Sequence, residues 1–465
     1  MIPMKTPLYR ALLPLCMALG CFLPIHRVAA QSSDSIFIRK LADEILLRST
    51  AYENLRVLTK QIGPRLAGSS GMVKAEQWGA TAMKRAGADS TWLQQCMVPH
   101  WVRGGQDQAR ALFNGKSISL DVVALGNSIG AGSTELLAPV MEVRSFEELQ
   151  QRSQEAKGKI IFYNYPFNAT MVRTFQAYGD ANKFRGQGPS QAARYGALGV
   201  VVRSMSHSTD NHPHTGSTRY DSLYNKIPAV AIGLQDADRL SGWIAQGSVE
   251  VGLRTQGHFL PDTIGHNVIG ELRGTLYPNE IITVGGHLDS WDNCEGAHDD
   301  GAGCVQTIEI LRAFKALGYA PQRTIRFVLF ANEENGLRGG NKYAEEAKRK
   351  GEKHLFALES DAGGFTPRAL GFTVSDTQFQ KIMRWQPLIA PYGCSEFGKG
   401  GGGADIGPLN RLFNTPVAGL QPDSQRYFDY HHARSDVFEA VNKRELELGA
   451  VNMAALIYLI DRYGL

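Results

Sequence analysis

At 465 residues the chain exceeds the usual size of one domain, so two domains, or one domain with a large insertion, are expected. A hydrophobic content of 43% and a charged content of 20% are ordinary for a soluble globular protein. The formal net charge is only +4 and no long Lys/Arg block occurs, which argues against binding to nucleic acid or to an anionic membrane.

Lys5 and Arg10 precede an apolar run from Ala11 to Leu23, and Val28-Ala29-Ala30 offers the small residues of a signal-peptidase site. Residues 1–30 are therefore expected to be a cleaved signal peptide, which puts the mature chain outside the cytoplasm, secreted or periplasmic. A membrane anchor is the competing reading. Pro14 and Pro24 break the run, which falls short of the ~20 apolar residues a bilayer needs. The Leu19-Gly20-Cys21 sequence loosely fits a lipidation site, but the apolar stretch continues past Cys21. Cleavage leaves Cys96, Cys294, Cys304 and Cys394, for which three disulfide connectivities are open.

Residues 31–105 read as the first part of a catalytic domain. Ile38, Leu41, Ile45, Leu55, Leu58 and Ile62 recur at helical spacing until Gly63-Pro64 breaks the run, and Ala75 to Ala86 resumes it. Residues 106–257 change character: short apolar runs at 159–163, 199–203 and 229–232 alternate with Gly-, Ser- and Pro-containing loops. This stretch suits an inserted β-rich accessory domain. Its His207, His212 and His214, with Asp210, form a polar cluster expected to be a mobile surface loop rather than a metal site.

From 258 to 465 buried strand, loop and helix repeat. Strands are expected at 281–284, 324–330, 355–358 and 416–420, with a helix carrying Val305, Ile308, Leu311 and Phe314 and an amphipathic helix from Lys443 to Tyr463. The pattern predicts an α/β fold with a mixed, largely parallel sheet flanked by helices. Such sheets place their sites at the carboxyl ends of the strands. His287-Leu288-Asp289, Asp299-Asp300, Glu333-Glu334, Asp361 and His431-His432 all fall there or in the loops beyond.

Imidazole and carboxylate are ligands a hydrolytic zinc ion accepts, and these residues suit a two-metal site. Asp299, in a Gly-rich turn, is the candidate bridge, with Asp300 as the cap of the following helix. One of Glu333 and Glu334 can bind metal while the other moves the proton.

The residues Gly286-His287-Leu288-Asp289-Ser290-Trp291-Asp292, Asp299-Asp300, Glu333-Glu334, Glu359-Ser360-Asp361-Ala362-Gly363, Gly401-Gly402-Gly403-Ala404-Asp405-Ile406 and His431-His432 resemble the co-catalytic zinc exopeptidases. That family includes bacterial leucyl aminopeptidases and the plasma glutamate carboxypeptidase branch, to which the likeness is greater. Ile62-Gly63-Pro64-Arg65-Leu66-Ala67-Gly68 matches the family's N-terminal part, and the middle region resembles a protease-associated insert.

The resemblance implies two Zn2+ per chain, bridged by Asp299 and a water or hydroxide. It gives His287 and Asp361 to one ion and Glu334 and His432 to the other. It makes Glu333 the general base and acid and Asp289 the residue that orients His287. His432 is preferred to His431 because the family's histidine stands four residues before an aspartate, here Asp436. Asp405 and His431 are candidate substrate contacts, and His298, beside the bridge, is expected to point to solvent. The implied activity is hydrolysis of dipeptides or short peptides with free termini, by a chain that forms a homodimer. Aminopeptidase action on longer peptides is the alternative. A glutaminyl cyclase or a non-catalytic binding protein on the same fold is disfavoured, since no ligand is missing.

Overall fold

The computed structural model describes Met1 and residues 33–465. The signal segment expected over 1–30 lies, apart from Met1, outside the described residues. The chain opens with the helices Ser33–Arg48 and Ala51–Arg56, the second continuing through a wider turn at Val57–Ile62. Ile38, Leu41, Ile45, Leu55 and Leu58 form their fully buried stripe. Gly63, at φ 79, and Pro64 end the run. The helix Ser70–Ala86 starts where Ser69 Oγ accepts the Met72 N–H at 3.1 Å and stops on Gly87 at φ 96.

The strand Ser90–Val102 begins an eight-stranded mixed sheet. In spatial order it is followed by His258–Leu272, Arg323–Phe330, Tyr277–His287, Lys353–Glu359, Val417–Pro422, Pro367–Thr373 and Glu396–Lys399. The four strands from Arg323–Phe330 to Val417–Pro422 run parallel. His287 lies opposite Phe330, and Gly285 opposite Glu359. That register brings the ends preceding Glu333, Glu334 and Asp361 level with His287.

Each central strand is buried on both faces. Ile325, Phe327 and Leu329 join the core under the helices Ala302–Ala316 and Lys443–Tyr463, while Val328 and Phe330 meet Tyr343, Ala344 and Leu409 on the other side. The antiparallel arm of Ser90–Val102 with His258–Leu272, and the strands Pro367–Thr373 and Glu396–Lys399, are absent from the sequence reading. They carry half-exposed or interrupted patterns, such as Leu93, Met97 and Ile264 facing outward.

Between Val102 and His258 the chain leaves this sheet and builds a second, also eight-stranded. It has its own cores around Val143, Tyr163 and Val202 on one face and Phe162, Val201 and Val251 on the other. The expected runs appear as Ile160–Tyr163, Gly199–Arg203 and Ala229–Ile232. No helix among the described residues is long and apolar enough to cross a membrane.

Candidate metal centre

His287 ends its strand with a fixed geometry. Its N–H donates to Asp300 Oδ2 at 3.0 Å, and Asp300 Oδ1 accepts from the Gly303 N–H at 2.9 Å in the first turn of the helix Ala302–Ala316. The imidazole Nε2 stands 3.2 Å from Asp299 Oδ1 and 3.4 Å from Asp361 Oδ1. On the other side of Asp299, Oδ2 lies 3.2 Å from His432 Nε2, which is 3.1 Å from Glu334 Oε2. Asp299 thus stands between two groups of donors: His287 with Asp361, and His432 with Glu334. His431 Nε2 is also within 3.7 Å of Asp299 Oδ2, and its ring stacks on that of His432 at 3.5 Å.

Donors of this kind suit divalent metal. His287, Asp299 and Asp361 offer ligand atoms close enough to share one ion, as do Asp299, His431 and His432. Asp299 Oδ2 and Glu334 Oε1 are buried without a hydrogen-bond donor. A buried anion in that condition is costly unless a cation completes its surroundings.

The buried charges act on one another. Burial, helped by Asp299, pushes the Glu334 carboxyl up to about 7, against His432. Burial disfavours the His432 imidazolium, yet Glu334 and Asp299 hold that ring up to about 10. Burial also drives the Glu333 carboxyl well above its ordinary range, with Asp361, Glu334 and Asp289 adding to the effect and His287 opposing it.

Asp289 holds the site differently from the expectation. His287 Nδ1 meets the Asp289 backbone carbonyl at 3.0 Å, whereas the carboxylate is 3.7 Å away. That carboxylate instead accepts the N–H groups of Glu333 at 3.0 Å and Glu334 at 3.3 Å. Asp436 does the equivalent for the bridge, accepting from His298 N at 2.7 Å and Asp299 N at 3.1 Å.

His298 is not in solvent. It is fully buried, its ring parallel to Phe365 at 4.1 Å, with Nδ1 accepting the Gly364 N–H and Nε2 donating to the Ala440 carbonyl. Burial lowers it to about 4, so it packs as the neutral ring. The aromatic slot that receives it comes from distant parts of the chain.

Asp405 is fully buried, with both oxygens lacking hydrogen-bond donors, and does not line the cavity beside the cluster. His431 does line it. The three histidines of the 207–214 stretch do not converge. His207 edges Phe167, His212 faces Asp210, and His214 is buried with Nδ1 2.8 Å from the His431 carbonyl.

Several supporting residues escaped sequence reasoning. The buried Arg65 guanidinium donates to the carbonyls of Leu288, Glu295 and Gly296 at 2.5, 2.6 and 2.9 Å, stapling the loop between His287 and Asp299. Thr215 and His214, from a loop between strands of the second sheet, hold the His431-His432 segment. Only the Gly-Pro-Arg break hinted at Arg65, and nothing hinted at Thr215. All four cysteines among the described residues are buried free thiols; Cys304 Sγ donates to the His287 carbonyl rather than facing the cluster.

A mixed sheet with histidines and carboxylates gathered at its strand ends defines a metallohydrolase. Residues 267–457 match the model of peptidase family M28. The chain is 33% identical to carboxypeptidase Q of Mus musculus over 418 residues, 89% of this chain and 86% of that one. Against carboxypeptidase Q of Homo sapiens the identity is 33% over 414 residues, 89% and 85% of the two chains. A peptidase M28 precursor from Shewanella amazonensis SB2B superposes with a TM-score of 0.88 at 32% identity, covering 92% of this chain and 96% of that one. A zinc aminopeptidase from Bacillus subtilis shares the fold, with a TM-score of 0.64 at 21% identity over 89% and 96%. The chain belongs to peptidase family M28 and is a metallopeptidase.

Proposed function

We propose that this chain is an exported di-zinc exopeptidase that hydrolyses dipeptides or short peptides with free termini, and that residues 106–257 are a protease-associated insert. The observation that carries the reading is Asp299, whose two oxygens face separate donor groups, His287 with Asp361 and Glu334 with His432. Those five residues would hold two zinc ions, which supply polarisation of the scissile carbonyl and acidification of the attacking water.

Glu333 performs the proton transfer. It takes a proton from the attacking water and delivers it to the leaving nitrogen as the C–N bond breaks, ending in its starting state. The Glu333 and Glu334 N–H groups on Asp289 fix the adjacent carboxylates, so one can serve metal while the other serves the proton. The bordering cavity, about 730 Å3, is of a size that takes a small peptide.

The experiment is a hydrolysis screen of zinc-loaded protein on dipeptides and on longer peptides blocked at either end, with and without chelator. Chelator-sensitive cleavage of unblocked short peptides supports the reading. Cleavage confined to longer peptides with a free amino end would make it an aminopeptidase, and no cleavage of any peptide would refute peptidase action.

A further inference from the structure

The cavity beside the metal centre is lined by side chains of both signs: Asp299, Glu333, Glu334 and Asp361, and, from the second sheet's segment, Lys183, Arg185 and Arg219. No acidic residue of that segment lines the cavity. Two divalent cations would balance the four carboxylates, so the field left for a substrate comes from the basic side chains.

The three cations are not equivalent. The Lys183 ammonium lies over the Tyr165 and Phe184 rings, at 5.8 and 5.3 Å, and 3.9 Å from Asp180. The Arg185 guanidinium bonds the Tyr178 hydroxyl and sits 3.4 Å from both the Thr215 carbonyl oxygen and His432 Nδ1. Arg219 alone among them is uncommitted: its guanidinium makes no hydrogen bond, ion pair or ring contact with any of the described residues. Its backbone is nonetheless pinned, the N–H donating to the Gly186 carbonyl at 2.9 Å and the carbonyl accepting from Ser190 Oγ at 3.4 Å. A fixed root carrying a free fork-shaped donor on a cavity wall suits bidentate capture of a carboxylate.

We infer that Arg219 is a specificity residue that binds the free carboxylate of the leaving-group side of the substrate, selecting dipeptides and other short peptides with an unblocked C-terminus. This rests on the peptidase reading above. An acidic side chain offers the same chemistry as a terminal carboxylate, and the substrates of the test separate the two.

The test compares kcat/KM of zinc-loaded protein for a neutral dipeptide acid, its C-terminal amide, and an amide bearing a glutamate side chain in the leaving residue. The free acid is expected to lead the neutral amide by about tenfold or more, mainly through KM, as for one charge-assisted hydrogen-bonded pair. The glutamate amide should match the neutral amide if the terminal carboxylate is read. In Arg219→Ala the acid-to-amide ratio should fall towards one, Arg219→Lys should retain part of it, and Arg219→Glu should invert it. Equal rates for acid and amide in the native protein would overturn the assignment and the free-carboxyl part of the reading above while leaving peptide hydrolysis itself intact, and a ratio unchanged in Arg219→Ala would overturn the assignment alone. A preference for the glutamate amide over the neutral amide would overturn the terminal-carboxylate assignment. Calorimetric titration of Glu333→Gln with the same acid and amide reads the anchor without turnover. Tighter binding of the acid, lost when Arg219→Ala is added, is expected even if no peptide is cleaved, and equal binding would sink the anchor.

Discussion

His432 Nδ1 faces the carbonyl oxygen of Thr215 at 3.2 Å, and the Thr215 N–H returns to the His432 carbonyl at 3.1 Å. The outer partner of a candidate ligand therefore comes from the second sheet's segment. His432 itself sits at φ 64, a left-handed conformation held by this exchange and by Asn293 Nδ2 on the same carbonyl. The segment between Val102 and His258 thus positions a candidate ligand as well as lining the cavity beside it.

If His432 binds metal, His432→Ala should lower bound zinc to about one ion per chain. Atomic absorption on dialysed protein reads this directly. Two ions retained would move the ligand role to His431, which stacks on His432 and also approaches Asp299.

Trp291 joins the two sheets. It is fully buried, edge-on to His432 at 5.7 Å, and covers Gly126, where an added methyl would overlap its ring. Gly126→Ala should destabilise the protein by roughly 1–3 kcal/mol. It should also shift tryptophan fluorescence as the ring is displaced. An unchanged denaturation midpoint with unchanged fluorescence would mean that the contact has room to give.

Asp289→Asn tests the backbone anchor of Glu333 and Glu334. An amide can accept one of the two N–H groups but turns a donor towards the other. The loss should be on the order of 1–3 kcal/mol in urea denaturation, with turnover falling more than stability does. Native-like stability and kcat together would show that the Glu333-Glu334 turn holds its own shape.

The parallel strands and the order of the candidate ligands were legible because continuous apolar runs end where charged residues begin: Val284 before His287, Phe330 before Glu333, Leu358 before Asp361. The supports were not. Arg65 acts through three backbone carbonyls, which no side-chain pattern records. His298 reads as a polar residue beside an acid, and only tertiary packing supplies Phe365 as its stacking partner. The 207–214 stretch is polar enough to suggest solvent, yet one of its histidines is sealed against the His431 carbonyl. Period and spacing report what a segment buries by itself, not what another segment brings to it.

His214 makes acid stability predictable. Burial lowers its imidazole from 6.5 to about 4, despite the opposing bond to His431. The unfolded chain therefore takes up this proton first as pH falls through 6.5, and the native state loses stability from there down to about pH 4. The shift corresponds to on the order of 3 kcal/mol over that window. His214→Asn, which keeps a donor near the His431 carbonyl, should show a shallower decline between pH 6.5 and 4.5 in denaturant titrations. Parallel declines in the two proteins would assign the acid sensitivity to other groups.

Glu333→Gln bears most directly on the central claim, with zinc content and kcat measured on the same preparation. The Asp299-centred site with Glu333 as proton carrier predicts two zinc ions bound and turnover reduced by a factor of about 100 or more. Full turnover with both ions in place would contradict it, and so would loss of zinc, because Glu333 would then be a ligand and not the base.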